Sequence, residues 1–325
     1  MKRLLEWWEG LCKGSATLRF VDINLRGIGQ VMFQDNPLSG LLFFVAIGWG
    51  SIAAGMPQVA IGGIVALLAG TLSAQWLRVD AAGLAAGLYG YNAYLVGLAL
   101  GTFLAVSPLW WLYVALGGAV SVVATLGTAN VFKTWGVAAL TAPFVLTTWL
   151  LLLATYAFTA IDGSGLPMSA EVVPLDASVS NPLAFGDFAQ GVLKSISQVF
   201  LKASLVAALL LLAGLAVNSL AAAAFGLGGA VVAVLAGHLL GAQSDLVTGG
   251  LMGFSPVLTA IAIGAVFYKP SPRVAIYALV GTVFTVIAQG AMNVALAPVG
   301  IPTLTAPFVL VSWLFLLPRQ HFERA

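Results

Sequence analysis

Two pairs of neutral polar residues recur in the two halves of this 325-residue chain: Gln30 with Gln198, and Thr141 with Thr305. An amide carries a hydrogen-bond donor and an acceptor, and a hydroxyl carries both on one atom. Each threonine stands two residues before a proline, which leaves a helical carbonyl without its usual N–H partner. These groups could bind a neutral polar solute. They could equally tie helices together or satisfy a kinked backbone.

Apolar residues accompany the two amides at helical spacing. They are Phe33, three residues after Gln30, and the i,i+4 pairs Tyr91/Leu95 and Phe254/Leu258. An aromatic ring beside an amide would form a flat slot, in which ring faces admit a planar solute and the amide contacts its edge. Ordinary core packing explains any one of these residues equally well.

The sequence shows no constellation typical of an enzyme, a metal site or a phosphate-binding loop. His238 is alone in an apolar segment, which favours a packing role, and His321 is in the terminal tail. The net charge of +2 is too small to indicate a nucleic-acid partner. We therefore predict no catalytic residues, no metal and no cofactor.

The elements that must position these residues belong to a duplicated chain. The heptapeptide Leu-Thr-Ala-Pro-Phe-Val-Leu occurs at 140–146 and again at 304–310, and each copy is followed by a tryptophan at the same offset, Trp149 and Trp313. Two further blocks match in the same order: 26–31 with 194–199, and 87–92 with 250–255. We predict a first repeat over 1–165, an extracytoplasmic linker over 166–193, and a second repeat over 194–325.

The composition predicts an all-α polytopic membrane protein. The chain is 61% hydrophobic and only 7% charged, against about 25% charged in soluble domains. Four long stretches carry no Asp, Glu, Lys or Arg, and each can hold two helices of about 20 residues. We predict ten spans near 38–56, 59–77, 84–104, 108–126, 137–157, 203–222, 226–242, 249–267, 274–291 and 304–318.

Five is an odd number of spans, so the second repeat must enter the membrane from the opposite side. The two repeats should therefore be inverted relative to each other. A cytoplasmic N-terminus agrees with the positive-inside rule. It puts Lys2, Arg3, Lys13, Arg78, Lys133, Lys269, Arg273, Arg319 and Arg324 inside, and the acidic linker residues Asp162, Glu171, Asp176 and Asp187 outside. Both termini should then be cytoplasmic, in the inner or plasma membrane. Every charge would lie at a loop, a terminus or an interface, with Asp245 near a helix end.

The blocks around Gln30 and Gln198 precede the first span of each repeat and are too short to cross alone. Each could be a surface helix or a re-entrant half-helix, and we favour the latter. Paired interrupted segments in corresponding positions are a typical sign of a binding site.

The segments around Thr141 and Thr305 resemble the signature of the urea transporter family, Leu-Pro-x-x-Thr-x-Pro-Phe, which that family carries once per repeat. Residues 301–308 depart from it only in Ile301, whereas residues 137–144 lack the first proline. The blocks 88–92 and 36–41 are also similar to that family, so the resemblance covers nearly the whole chain.

The resemblance implies a homotrimer with one pore per subunit, five spans and one re-entrant helix per repeat, and two binding sites separated by a constriction. By this resemblance, Gln30 and Gln198 would accept hydrogen bonds from the N–H groups of urea. Its planar faces would be sandwiched by the rings of Phe33, Tyr91 and Phe254. Leu201, the repeat partner of Phe33, is aliphatic, so the two sites need not be equally tight. Thr141 and Thr305 would lie at the constriction.

We therefore predict a passive, selective urea channel in the lipid bilayer. The rivals are a channel for ammonia or short amides and, from a different class, a proton-coupled transporter or membrane enzyme. An ammonia channel should show histidines at membrane depth. A proton-coupled transporter or a membrane enzyme would need buried ionisable groups.

Overall fold

The computed structural model describes residues 2–318, which fold into α-helices, short 3-10 turns and one π-helical turn, with no β-strand in that range. The helices of the first half are α1 (Lys2–Gly14), α2 (Ala16–Gln30), α3 (Pro37–Ala53), α4 (Pro57–Trp76), α5 (Ala81–Ala85), α6 (Tyr91–Phe103), α7 (Pro108–Lys133) and α8 (Ala142–Ala154). Those of the second half are α9 (Phe185–Ser197), α10 (Leu205–Asn218), α11 (Leu220–Leu239), α12 (Ser244–Thr248), α13 (Phe254–Ile261), α14 (Pro272–Leu296) and α15 (Ala306–Leu316).

Helix starts follow local capping chemistry. Ser107 and Ser271, 164 residues apart, each precede a proline and accept a hydrogen bond from a backbone N–H in the first turn of α7 and α14. A serine at the N-cap satisfies a donor that the helix leaves free, and proline fits the first helical position because it needs no partner for an N–H. The two longest helices therefore begin on the same signal in both halves.

Every predicted span coincides with a helix, but the helices differ in length. By length and apolar composition, four of those within residues 2–318 can cross a membrane alone: α4, α7, α11, and α14 with its 3-10 extension. The helices α8 and α15 have only 13 and 11 residues, about 20 and 16 Å. They start late because each follows a leucine in the left-handed conformation, Leu140 or Leu304, that ends a non-helical segment.

The helices α2 and α9, at the positions predicted to be re-entrant, each end in a turn before the next helix. The path from α9 into α10 bends by 73°, and α2 likewise ends at Gln30 before a turn into α3. Both turns contain a non-glycine residue with positive φ, Phe33 at 62° and Leu201 at 59°. The helix α9 begins at Phe185, within the range predicted as the linker.

Within the third predicted span of each half, the helix begins several residues late. The short helices α5 and α12 are followed by turns at Gly87 (φ 75°) and Gly250 (φ 76°), and only then do α6 and α13 begin. A Cβ on Gly87 would come 2.3 Å from the backbone nitrogen of Gly27 in α2. The glycine is required because this turn packs directly on the re-entrant helix.

The two halves pack against each other along α3 and α10. Ser39 Oγ donates to the Gly214 carbonyl at 2.7 Å, and Asn218 Nδ2 donates to Gln34 Oε1 at 3.0 Å. Large apolar side chains point outward from the helices, among them Trp49, Trp76, Leu112, Leu150 and Leu220. An apolar outer surface suits a multi-pass membrane protein, because the surrounding medium is lipid.

One charged residue is buried. Lys202 lies in the turn before α10, a loop position as predicted, but it is only 4% exposed. Its stem packs on α3, where a Cβ on Gly50 would stand 3.4 Å from Lys202 Cγ. Asp245 is exposed in the first turn of α12, near a helix end as predicted, and His238 is half-buried in the last turn of α11. Arg319, His321 and Arg324 lie outside the described residues.

Candidate functional site

The repeated threonines meet between two cavities. Thr141 Oγ1 and Thr305 Oγ1 are 2.6 Å apart and share a hydrogen bond, although 164 residues separate them. Both side chains are 3% exposed. Thr141 lines one cavity, while Thr303 and Leu304 line the other. The hydroxyl pair therefore lies beside residues of both cavities and is the candidate for the predicted constriction.

The first cavity has a volume of about 250 Å³ and the second about 570 Å³. The first is lined by Gln30, Val31, Phe33, Leu88, Tyr91, Ala138, Leu140, Thr141, Val266 and Phe267. The second is lined by Phe103, Pro167, Met168, Gln198, Leu201, Gln243, Leu246, Leu251, Phe254, Gln289, Asn293, Leu296, Ala297, Gly300, Ile301, Pro302, Thr303 and Leu304. All of these residues are uncharged.

Each cavity receives one glutamine from a re-entrant helix, held in the same way. Gln30 Nε2 donates to the Ala86 carbonyl at 2.9 Å, and Gln198 Nε2 donates to the Gly249 carbonyl at 3.1 Å. Both acceptors belong to the turns that follow α5 and α12. Each amide nitrogen uses one of its two hydrogens on the backbone, so the carbonyl oxygen and the second N–H of each side chain remain for a solute.

Aromatic rings narrow the first cavity more than the second. Phe33 makes edge contacts with Phe267 and Phe308, at centroid distances of 5.9 and 6.2 Å. Leu201, the repeat partner of Phe33, lines the second cavity together with Phe254 and supplies no ring. The absence of a ring at this position agrees with the larger volume of the second cavity.

Backbone strain is concentrated at the cavities. Five non-glycine residues between 2 and 318 have positive φ, and four of them line a cavity: Phe33, Leu140, Leu201 and Leu304. Such conformations cost about 1–3 kcal/mol each and persist only where the surroundings enforce them. At Leu140 the carbonyl is turned so that it accepts hydrogen bonds from the Tyr91 hydroxyl, at 2.5 Å, and from Asn92 Nδ2, at 3.4 Å.

The two tryptophans that follow the heptapeptides explain how the constriction is held. Trp149 Nε1 donates to the Pro302 carbonyl at 2.9 Å, and Trp313 Nε1 donates to the Ala138 carbonyl at 3.0 Å. Each half therefore fixes the non-helical segment that precedes the other half's threonine.

Eight of the ten predicted solute-contacting residues lie at the cavities or at the constriction between them. The exceptions are Leu95 and Leu258, which are 1% and 0% exposed and line neither of the two cavities in the described part of the chain. Each is one turn from a lining aromatic residue, Tyr91 or Phe254.

Sequence reasoning missed Phe103 and Phe267, one in each cavity and 164 residues apart. The signal was available in the repeat spacing. The blocks 87–92 and 250–255 are 163 residues apart and the heptapeptides are 164 apart, so the second half has one extra residue between its block and its heptapeptide. A π-helix at Ala262–Val266 accommodates an extra residue, and Phe267 follows it directly.

Comparison with known proteins agrees with this architecture. A family model described as "Urea transporter" matches residues 21–320. The chain is 30% identical over 329 residues to proteins named "Urea transporter 1" from Ovis aries, Capra hircus and Rattus norvegicus, and the match covers 98% of this chain and 81% of each relative. By the extent of both matches, this chain belongs to the urea transporter family.

Proposed function

We propose that this protein conducts urea passively, as a selective channel, through the two cavities and the constriction between them. One observation carries the proposal: two uncharged cavities meet at the Thr141–Thr305 hydroxyl pair, and each contains a glutamine whose amide nitrogen is held by backbone. A chain of neutral acceptors suits a neutral solute rich in N–H donors.

Urea is planar, with four N–H donors and one carbonyl. Leaving water costs about 1–3 kcal/mol for each amide-like group that finds no partner. Gln30 Oε1 in the first cavity and Gln198 Oε1 in the second would each replace part of that water. The faces of Phe33, Tyr91 and Phe254 would contact the flat solute, and their apolar surface would disfavour ions.

The topology we propose is the inverted repeat. Its support is that corresponding positions share unusual backbone: positive φ at Phe33 and Leu201, at Leu140 and Leu304, and at Gly87 and Gly250. Five spans per repeat, including the short helices α8 and α15, then place both termini in the cytoplasm of an inner or plasma membrane. The family resemblance supports a homotrimer in the bilayer, with one pore in each subunit.

The test is solute flux in proteoliposomes that contain the purified full-length protein. Urea should cross much faster than in protein-free vesicles, and ammonia and glycerol should not. Faster ammonia or acetamide flux with no urea flux would replace this proposal with a channel for those solutes.

A further inference from the structure

The first helix, α1, carries three parallel rows of side chains. Residues at i, i+3 and i+7 lie on one face of an α-helix, and α1 contains three such sets, each shifted by one residue from the last. The inner row is Leu5, Trp8 and Cys12. The outer row is Leu4, Trp7 and Leu11, and the polar row is Glu6, Glu9 and Lys13.

The inner row holds α1 against α2. Trp8 Nε1 donates to Asp22 Oδ1 at 2.7 Å, and Cys12 Sγ donates to the Leu18 carbonyl at 3.6 Å. Cys12 is 8% exposed, and Leu5 and Trp8 are half-buried. Because one face of α1 is docked on α2, the directions of the other two rows are fixed.

The outer row is apolar and exposed. Leu4, Trp7 and Leu11 are 49%, 61% and 39% exposed. A single exposed apolar side chain needs no explanation, but a contiguous row of large ones marks a surface that an apolar partner covers. The polar row is shifted from the outer row by two residues, or about 200° round the helix. The free side of α1 is therefore divided into an apolar and a charged face.

The neighbouring surface indicates which partner covers the outer row. Leu4 and Trp7 line a gap of about 120 Å³ together with Leu38 and Leu41 of α3, and every residue that lines this gap is apolar. Leu41 is 44% exposed, and Trp49, further along α3, is 54% exposed. Since α3 coincides with the first predicted span, its exposed apolar side chains face lipid. The outer row of α1 continues this lipid-facing surface.

The residue types also fit the border between lipid and water. Tryptophan is enriched at that border because its ring is apolar and its indole N–H is polar. A helix with an apolar face and an opposed charged face lies in the plane of a membrane surface. Trp7 lies in the middle of the outer row, and Glu6, Glu9 and Lys13 supply the charged face.

We infer that α1 lies in the lipid–water interface, with its outer row among the lipid acyl chains and its polar row in water. The partner is the bilayer itself and not a second protein. Because the inner row ties α1 to α2, this contact would anchor the base of the helix that ends at Gln30 in the first cavity. The inference does not depend on which solute the protein conducts.

Spin labelling of the full-length protein in phosphatidylcholine vesicles tests the inference. Single cysteines at Leu4→Cys, Trp7→Cys and Leu11→Cys sample the outer row. The matched controls on the polar row are Glu6→Cys, Glu9→Cys and Lys13→Cys. All six side chains are exposed, so the substitutions leave the packing of α1 intact. The native Cys12 is the only cysteine in the chain and is buried, so native protein taken through the same labelling gives the background.

Collisions of each nitroxide with O2, which concentrates in lipid, and with a water-soluble nickel chelate report what surrounds the label. We expect a higher ratio of O2 to nickel collisions at all three outer-row positions than at any polar-row position. Equal ratios, with frequent nickel collisions on both rows, would show that the outer row faces water and would overturn the inference. Few collisions with either reagent at the outer row would show that protein covers it, which would overturn the inference as well.

Discussion

Replacing both constriction threonines by valine should slow urea conduction far more than replacing either one. Thr141 Oγ1 and Thr305 Oγ1 are 2.6 Å apart, and valine keeps the shape of threonine while removing the hydroxyl. In the native pair one hydroxyl donates to the other, which leaves one donor and three lone pairs for a passing solute. A double valine variant leaves none.

The magnitude follows from two opposing effects. Urea must break the Thr141–Thr305 bond to pass, at a cost of about 1 kcal/mol. A single valine removes that cost together with one of the two hydroxyls, so the effects nearly cancel and flux should stay within about threefold of the native value. The double variant leaves urea unpaired in a dry passage at a cost of about 1–3 kcal/mol, which corresponds to a roughly 5- to 150-fold loss of flux.

Stopped-flow light scattering on proteoliposomes measures this flux per molecule of protein. Thr147→Val is the control, because Thr147 is a buried α8 threonine that is 3% exposed and has no hydroxyl partner within the described chain. It should conduct as the native protein does. The reasoning is refuted if the double variant conducts normally, or if either single variant is as slow as the double.

Three further outcomes follow. Gln30→Leu and Gln198→Leu should each reduce urea flux at low concentration by about fivefold because each removes one acceptor; native flux in either, with normal expression, contradicts the assigned role. Trp149→Phe should lower the free energy of unfolding by about 1 kcal/mol, seen as a lower melting temperature, and an unchanged one would argue against the bond between the halves. Gly87→Ala should abolish the yield of folded protein, since its Cβ would lie 2.3 Å from backbone, whereas Gly48→Ala, with no atom within 4 Å, should express normally.

Repetition in the sequence was the most informative guide to the fold. The amides, the threonines and the tryptophans were all found as pairs at nearly constant spacing, and the structure places the Thr141 and Thr305 hydroxyls in direct contact. Spacing alone could not show that contact, since it depends on how the two halves pack. Nor could it show that Trp149 and Trp313 each bond to the opposite half.

Features specific to one half escaped prediction for a physical reason. Gln289 and Lys202 have no identical partner 164 or 168 residues earlier, so the repeat gave no signal for them. At α8 and α15, hydropathy predicted longer helices than the structure contains. The apolar runs continue through the segments before Thr141 and Thr305, but the left-handed backbone at Leu140 and Leu304 delays the helix. Window averages measure composition, and backbone conformation decides where a helix begins.

Urea uptake into proteoliposomes under imposed gradients tests the central claim of passive conduction most directly. The vesicles would carry a pH gradient, a sodium gradient, a membrane potential, or none. Ion-coupled carriers usually need an ionisable or anionic group at depth, and the residues that line both cavities are uncharged. We predict equal initial rates in all four conditions and a final internal urea concentration equal to the external one. Accumulation above the external concentration under any gradient would contradict the account.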